Sequence, residues 1–138
     1  MTAKEFLKQY EHADRIVQRC KTEYETEMLK IDAIGSTLSN DGLPHGNGIS
    51  RKTEDKAIRL AEKATKWKAA ELDAIAKRQE VFELIYDIPG IEGEILIERY
   101  VNLRKWEDIC VIIHYSWRGT HKIHARALKI VEARLNGA

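Results

Sequence analysis

Apolar side chains recur along residues 1–34 at the spacing of a helix that lies along another helix. Phe6, Tyr10, Ala13, Val17, Cys20 and Tyr24 follow one another at alternating steps of 4 and 3, the 3.5-residue repeat of a coiled-coil seam. Met28, Ile31 and Ile34 continue the stripe with one slip, because Glu27 holds the strict heptad position. Thr2 and Glu5 stand three apart at the start, the pattern of a capping box in which hydroxyl and carboxylate satisfy free amides of the first turn. Gly35 is expected to close this helix.

Residues 35–52 hold four glycines and one proline with Ser and Asn between them, and are expected to form a flexible loop. The run Gly42-Leu43-Pro44-His45-Gly46-Asn47-Gly48 lacks Walker spacing, and no Gly-Lys-Ser/Thr follows it. The next helix is expected from Thr53, an N-cap with Glu54 and Asp55 at the positive helix end. It can continue to about Ile88. One stripe on it comprises Ile58, Ala61, Thr65, Leu72, Ile75, Phe82 and Tyr86; a second, Leu60, Ala64, Trp67 and Ala74, lies beside the first. About 36 residues at roughly 1.5 Å each give about 54 Å. An antiparallel, coiled-coil-like hairpin with the first helix is expected, its extra seam left for another chain or for the C-terminal part.

Asp87-Ile88-Pro89-Gly90 stops the second helix, since proline disfavours a helical residue before it. Three shorter helical segments follow. Residues 92–101 turn Ile95, Leu96 and Tyr100 inward; 104–113 turn Trp106, Ile109, Cys110 and Ile113 inward; 116–135 turn Ile123, Ala127, Ile130, Val131 and Leu135 inward. No segment has strand periodicity, so the expected class is all-α, with a helical hairpin over 1–88 and a separate domain over 91–138.

Composition changes this picture little. Of 138 residues, 43% are hydrophobic and 33% charged, too apolar for a disordered chain. No run approaches the roughly 18 apolar residues of a membrane span, and the polar, acidic N-terminus is unlike a signal peptide. Cys20 and Cys110 lie far apart on apolar helical faces and read as small hydrophobes in a reducing cytoplasm.

Charge changes the picture more. Residues 1–98 carry 15 Lys and Arg against 19 acids, a net of −4, whereas residues 99–138 carry 8 against 3, a net of +5. A basic module on an acidic chain points to an anionic partner.

Within the basic part, a helix of about ten residues, a break at His114-Tyr115, and Ser116 as the N-cap of a longer helix give the layout of a helix-turn-helix. Cys110 supplies a small residue for the helix crossing. His114 belongs to the non-glycine types that tolerate a left-handed bend. Ile123, Ala127 and Ile130 face inward, and Trp117, Arg118, His121 and Lys122 lie on the outer side.

The run from Leu96 to Val131 resembles region 4 of bacterial sigma-70 factors, with Trp106, Glu107, Asp108, Ile109 and Cys110 in place of its aromatic-Glu-Glu-Ile-Ala helix. The whole chain is similar to the phage late-gene transcription regulators of the ArpU and RinA type. Ser116, Arg118, Lys122, Ile123, His124, Ala127, Leu128 and Lys129 match the end of that family's pattern, so the specific likeness covers about the last 40 residues. The resemblance implies sequence-specific binding of double-stranded DNA, activation of late genes, contact with host RNA polymerase, and action in the cytoplasm of a bacterial host cell. Three positions depart from it. His114 stands where glycine is usual, and Thr120 where Val or Ile is usual. Gly119 costs roughly 1 kcal/mol of helix propensity against alanine, with close approach to DNA or plain drift as its origin.

The expected roles follow from chemistry. Ser116 caps the reading helix, whose amides and dipole can hold a phosphate. Arg118 can contact guanine with two hydrogen bonds in the major groove, with Lys122 one turn on. Trp117 and His121 can touch base edges or thymine methyls. Arg104, Lys105 and Arg126 are placed for phosphates, which position without reading sequence. The N-terminal helices offer a homodimer surface.

Cys110, His114, His121 and His124 have spacings a helical zinc site can use, but Cys110 is expected inward and His121 outward, so no metal or other cofactor is expected. No nucleophile set has a framework, which points away from an enzyme. The alternative function is a helical adaptor or packaging protein, similar to a small terminase, acting through oligomerisation.

Overall fold

In the computed structural model the fold is all-α, with no strand among the described residues. The structure describes residues 1–41 and 47–137, with side chains described for 1–31 and 51–137. The elements are α1 (Ala3–Leu7), α2 (Gln9–Asp41), α3 (Asn47–Ile85), α4 (Gly90–Leu96) with a π-helical continuation over Ile97–Val101, α5 (Trp106–Ile113) and α6 (Trp117–Leu135). They form two compact units: Met1–Ala13 with Asp73–Ala138, and Asp14–Leu72. The expected boundary between 88 and 91 is not where this division falls. The first thirteen residues and the last part of α3 belong with the C-terminal helices.

The expected capping box is present. Thr2 Oγ1 accepts from the Glu5 amide at 3.2 Å, and Glu5 Oε2 accepts from the Thr2 amide at 3.1 Å. The helix it starts is short, because Lys8 interrupts it before α2. α1 packs on α6, and its Leu7 joins Val81, Ile85, Leu96, Tyr100, Ala127 and Val131 in the main core. Each such side chain contributes roughly 1.5–3 kcal/mol when fully buried, which is how a five-residue helix is held. A second cluster, Ile95, Ile109, Ile113 and Ile123, joins α4, α5 and α6.

The joint between α3 and α4 is tight. Gly90 has φ +76°, a left-handed conformation that favours glycine. At Gly93 a Cβ would stand 1.9 Å from the Ile88 carbonyl oxygen, so only glycine fits this approach. Arg134 closes the unit by donating to the Leu84 carbonyl at 2.9 Å and pairing with Asp87. That hydrogen bond holds the Asp87 carboxyl below its ordinary range.

In the other unit, Glu23 Oε2 pairs with Lys63 Nζ at 3.1 Å and Lys66 Nζ at 3.5 Å. The Tyr24 and Trp67 rings lie 5.3 Å apart. The Lys63 hydrogen bond, then the charges of Lys63 and Lys66, lower the Glu23 pKa. These contacts join α2 to α3 at one level.

Several sequence expectations are corrected. Gly35 does not end α2, and the expected loop 35–52 is helical over 35–41 and 47–52; residues 42–46, and the side chain of Ile34, lie outside the described residues. One glycine costs a helix about 1 kcal/mol, too little to stop a 33-residue helix. Thr53 is not an N-cap, since α3 begins at Asn47. On α2 the stripe keeps strict heptad register: Ala13, Cys20 and Glu27 are buried and Met28 is exposed. On α3 the second stripe turns inward, through Ala74 to Val81 and Ile85, while Ile58, Leu72, Ile75, Phe82 and Tyr86 of the first stripe are exposed. On α6, Thr120 and His124 are buried and Ile130 is exposed, so the inward stripe sits one step from the expected one. Cys110 is half-buried rather than fully inward, and both cysteines are free.

Candidate nucleic-acid interface

The bend between α5 and α6 is made by His114, whose φ of 61° and ψ of 40° are left-handed. The sequence expectation for this residue is met, and the cost is modest for a His at a helix end. Its amide donates back to the Val111 carbonyl, and the Tyr115 amide donates to the Cys110 carbonyl. Ser116 then caps α6 by accepting from the Gly119 amide at 3.1 Å. A Cβ at residue 119 would approach Ser116 Oγ to 3.2 Å and Tyr115 Cδ1 to 3.4 Å. Gly119 therefore gives the cap and the Tyr115 ring their room.

The residues expected to meet DNA fall into two groups. Trp117, Arg118 and Lys122 are exposed on α6, and Ser116 heads them. Arg118 and Lys122 are one turn apart and share a face. Beside them an open groove of about 480 Å³ is lined by Tyr115, Gly119, Lys122, Ile123 and Arg126. Lys105 is exposed at the N-cap of α5. Arg104 and Arg126 are exposed but engaged, with Glu98 and with Glu92 at 3.7 Å respectively. Exposed pairs of this kind are worth about 0–1 kcal/mol and exchange readily for a phosphate.

His121 departs from its expected outward position. Its ring lies 4.6 Å from that of Trp106 and 4.5 Å from that of Trp117, and its Nε2 is buried without a hydrogen-bond partner. His124 turns further in. Its Nε2 is 2.7 Å from the Tyr100 hydroxyl, and burial first, then electrostatic interaction with His121, Lys4 and Arg99, pushes its pKa down to about 4. Burial raises the Tyr100 hydroxyl to about 12. The tyrosine therefore keeps its proton at neutral pH, the His124 ring is uncharged there, and the two share one hydrogen bond whose direction follows the ring's tautomer. Arg99 lies over the Trp106 ring at 5.1 Å and donates to the Arg104 carbonyl at 2.9 Å. Among the described residues no group of three or more His, Cys, Asp or Glu converges as metal ligands.

Comparison with protein-family models, curated proteins and solved structures finds no match for this chain. The site therefore rests on its own geometry. Lys4, Lys8 and Arg99, which surround the His124 side of α6, are absent from the sequence-based site. Lys4 and Lys8 stand more than ninety residues before α6 in the chain, and no local spacing signals that α1 folds against it.

Proposed function

We propose that this chain is a transcription regulator that binds double-stranded DNA sequence-specifically through α5 and α6, acting on phage late genes in a bacterial cytoplasm. The observation that carries this reading is the exposed ridge of Trp117, Arg118 and Lys122 at the Ser116-capped start of α6, behind a left-handed turn. In this reading α6 enters the major groove with Arg118 reading a base edge and Lys122 beside it. Lys105, Arg104 and Arg126 bind backbone phosphates, and the Trp106–His121–Trp117 stack supports the ridge from below.

A late-gene role and a meeting with host RNA polymerase rest on the resemblance to ArpU and RinA regulators and to sigma region 4. A handful of cationic contacts from one helix pair binds weakly at cellular salt. A second protomer adds affinity by linking two half-sites, and the exposed α3 face of Ile75, Phe82 and Tyr86 is the surface we assign to it.

Footprinting the purified chain on the late-promoter region of the phage genome tests the reading. A short protected site that weakens steeply as salt rises supports it; uniform protection of all sequences refutes specific regulation. That same exposed α3 face favours a second reading, a helical adaptor or packaging subunit. Defined higher oligomers with no promoter preference are its signature.

A further inference from the structure

Behind the exposed ridge lies a small cavity of about 130 Å³, lined by Lys4, Lys8, Arg99, Tyr100, Trp106, His121 and His124. At roughly 30 Å³ per water it holds about four waters, room for a single tetrahedral oxyanion. Three of the four described helical segments after α3, together with α1, meet around it: α1 and its C-cap bring the lysines, the π-helical turn Arg99 and Tyr100, α5 Trp106, and α6 the two histidines.

The lining is cationic or neutral throughout, with no carboxylate in it. Among the described residues neither Lys4 nor Lys8 is ion-paired, whereas Arg104 is engaged with Glu98 and Arg126 with Glu92. Glu11 is the acid whose charge is felt at Tyr100. The positive charges are felt at His124, which Lys4 and Arg99 both disfavour in its charged form. An anion answers this arrangement, since it neutralises convergent cations that no carboxylate of the lining offsets.

We propose that this cavity binds a phosphate-type oxyanion, held by Lys4, Lys8 and Arg99. The proposal does not depend on the reading of α6 as a DNA-reading helix. Its shared chemistry is the phosphate group, whether a free phosphate or one in a nucleic-acid backbone.

The test is a titration of the full-length chain with inorganic phosphate, followed by NMR at the His121, His124 and Trp106 ring resonances. Sodium chloride at matched ionic strength is the control. Saturable shifts at those rings are expected with phosphate and not with chloride. The Lys4→Ala/Lys8→Ala double variant, which removes two unpaired side chains and leaves the core intact, should bind at least tenfold more weakly. The Lys4→Arg/Lys8→Arg variant should retain binding. Phosphate that acts no differently from chloride, or binding unchanged in the alanine double variant, overturns the proposal. A short duplex added to the phosphate-loaded chain then separates the sources. Displacement of the phosphate assigns the cavity to a backbone phosphate, and simultaneous binding assigns it to a free one.

Discussion

Replacing Thr120 by valine should stabilise this protein. Thr120 is completely buried in α6, and its Oγ1 has no hydrogen-bond partner. Its backbone amide already donates to the Ser116 carbonyl at 2.8 Å, the acceptor a helical threonine hydroxyl ordinarily uses. A buried hydroxyl left unsatisfied costs about 1–3 kcal/mol. Thr→Val exchanges that hydroxyl for a methyl of similar size, and the two residues have nearly equal helix propensity, so propensity does not offset the gain. The added methyl bulk takes back part of it. A net stabilisation of about 1 kcal/mol follows, or a rise of about 3–5 °C in Tm for a chain of this size.

The assay is urea unfolding, in which the midpoint should rise while the slope stays constant. Thr120→Ser is the informative control. It keeps the hydroxyl and deletes a buried methyl, so it should lose about 1 kcal/mol. A Thr120→Val midpoint at or below that of the parent would refute the reasoning, and would mean that the hydroxyl has a partner such as a buried water. DNA binding should be unchanged, because the substituted group lies beneath the ridge rather than on it.

Gly93→Ala should lower stability by about 3 kcal/mol or more, measured by the same unfolding midpoint, because the new Cβ meets the Ile88 carbonyl at 1.9 Å and backbone must move. Stability should also fall as pH drops from about 6.5 to about 4. His124 has its folded pKa depressed to about 4, chiefly by burial, so in that window the unfolded chain binds the extra proton. One proton sets a slope of at most about 1.4 kcal/mol per pH unit, and His124→Gln should flatten the curve of midpoint against pH. Arg118→Ala should weaken binding at a specific duplex by about 1–3 kcal/mol in a gel-shift titration, with little change on unrelated sequence. Ile75→Lys with Phe82→Lys places two charges on the exposed α3 face; light scattering should show loss of self-association with the helical content kept, and a parent that is strictly monomeric at high concentration removes the dimer.

The C-terminal half was the most legible part of the sequence, and particular residues explain why. Ser116, the bend at His114, and the inward Ile109, Ile113, Ile123 and Ala127 are all specified within a few positions of one another. Local chemistry decides such features: a hydroxyl for free amides, a residue tolerant of positive φ, and apolar spacing on one side. The same held for Thr2 and Glu5. Three things were hidden. Leu7 and its short helix join α6 through contacts about 120 residues apart, and nothing in their own spacing reports the partner. Gly35 has the look of a terminator in the sequence, although a long helix absorbs its cost. The inward turn of His121 depends on Trp106, an aromatic neighbour from another helix. Its own position in α6 leaves either direction open.

The two stripes on α3 show why periodicity alone could not choose the buried face. Both repeat at helical spacing, and the first has the larger side chains. The second is the one buried, because it leads into Val81 and Ile85, where α1, α4 and α6 supply a core. A helix commits the face that meets neighbours already fixed by other packing, and the larger apolar face is left in water. Scattered exposed apolar residues are ordinary, but Ile75, Phe82 and Tyr86 repeat in heptad-compatible steps on one helix face, and such a row is suited to a second helix. The regulator and adaptor readings give that row different work. For a regulator it multiplies a weak DNA contact, so disrupting it should cost affinity for duplex along with self-association. For an adaptor it is the functional surface itself, so disrupting it should abolish assembly and leave any DNA affinity where it was. Measuring duplex binding by the Ile75→Lys/Phe82→Lys variant therefore separates the two readings, because only the regulator links the α3 row to the α6 ridge.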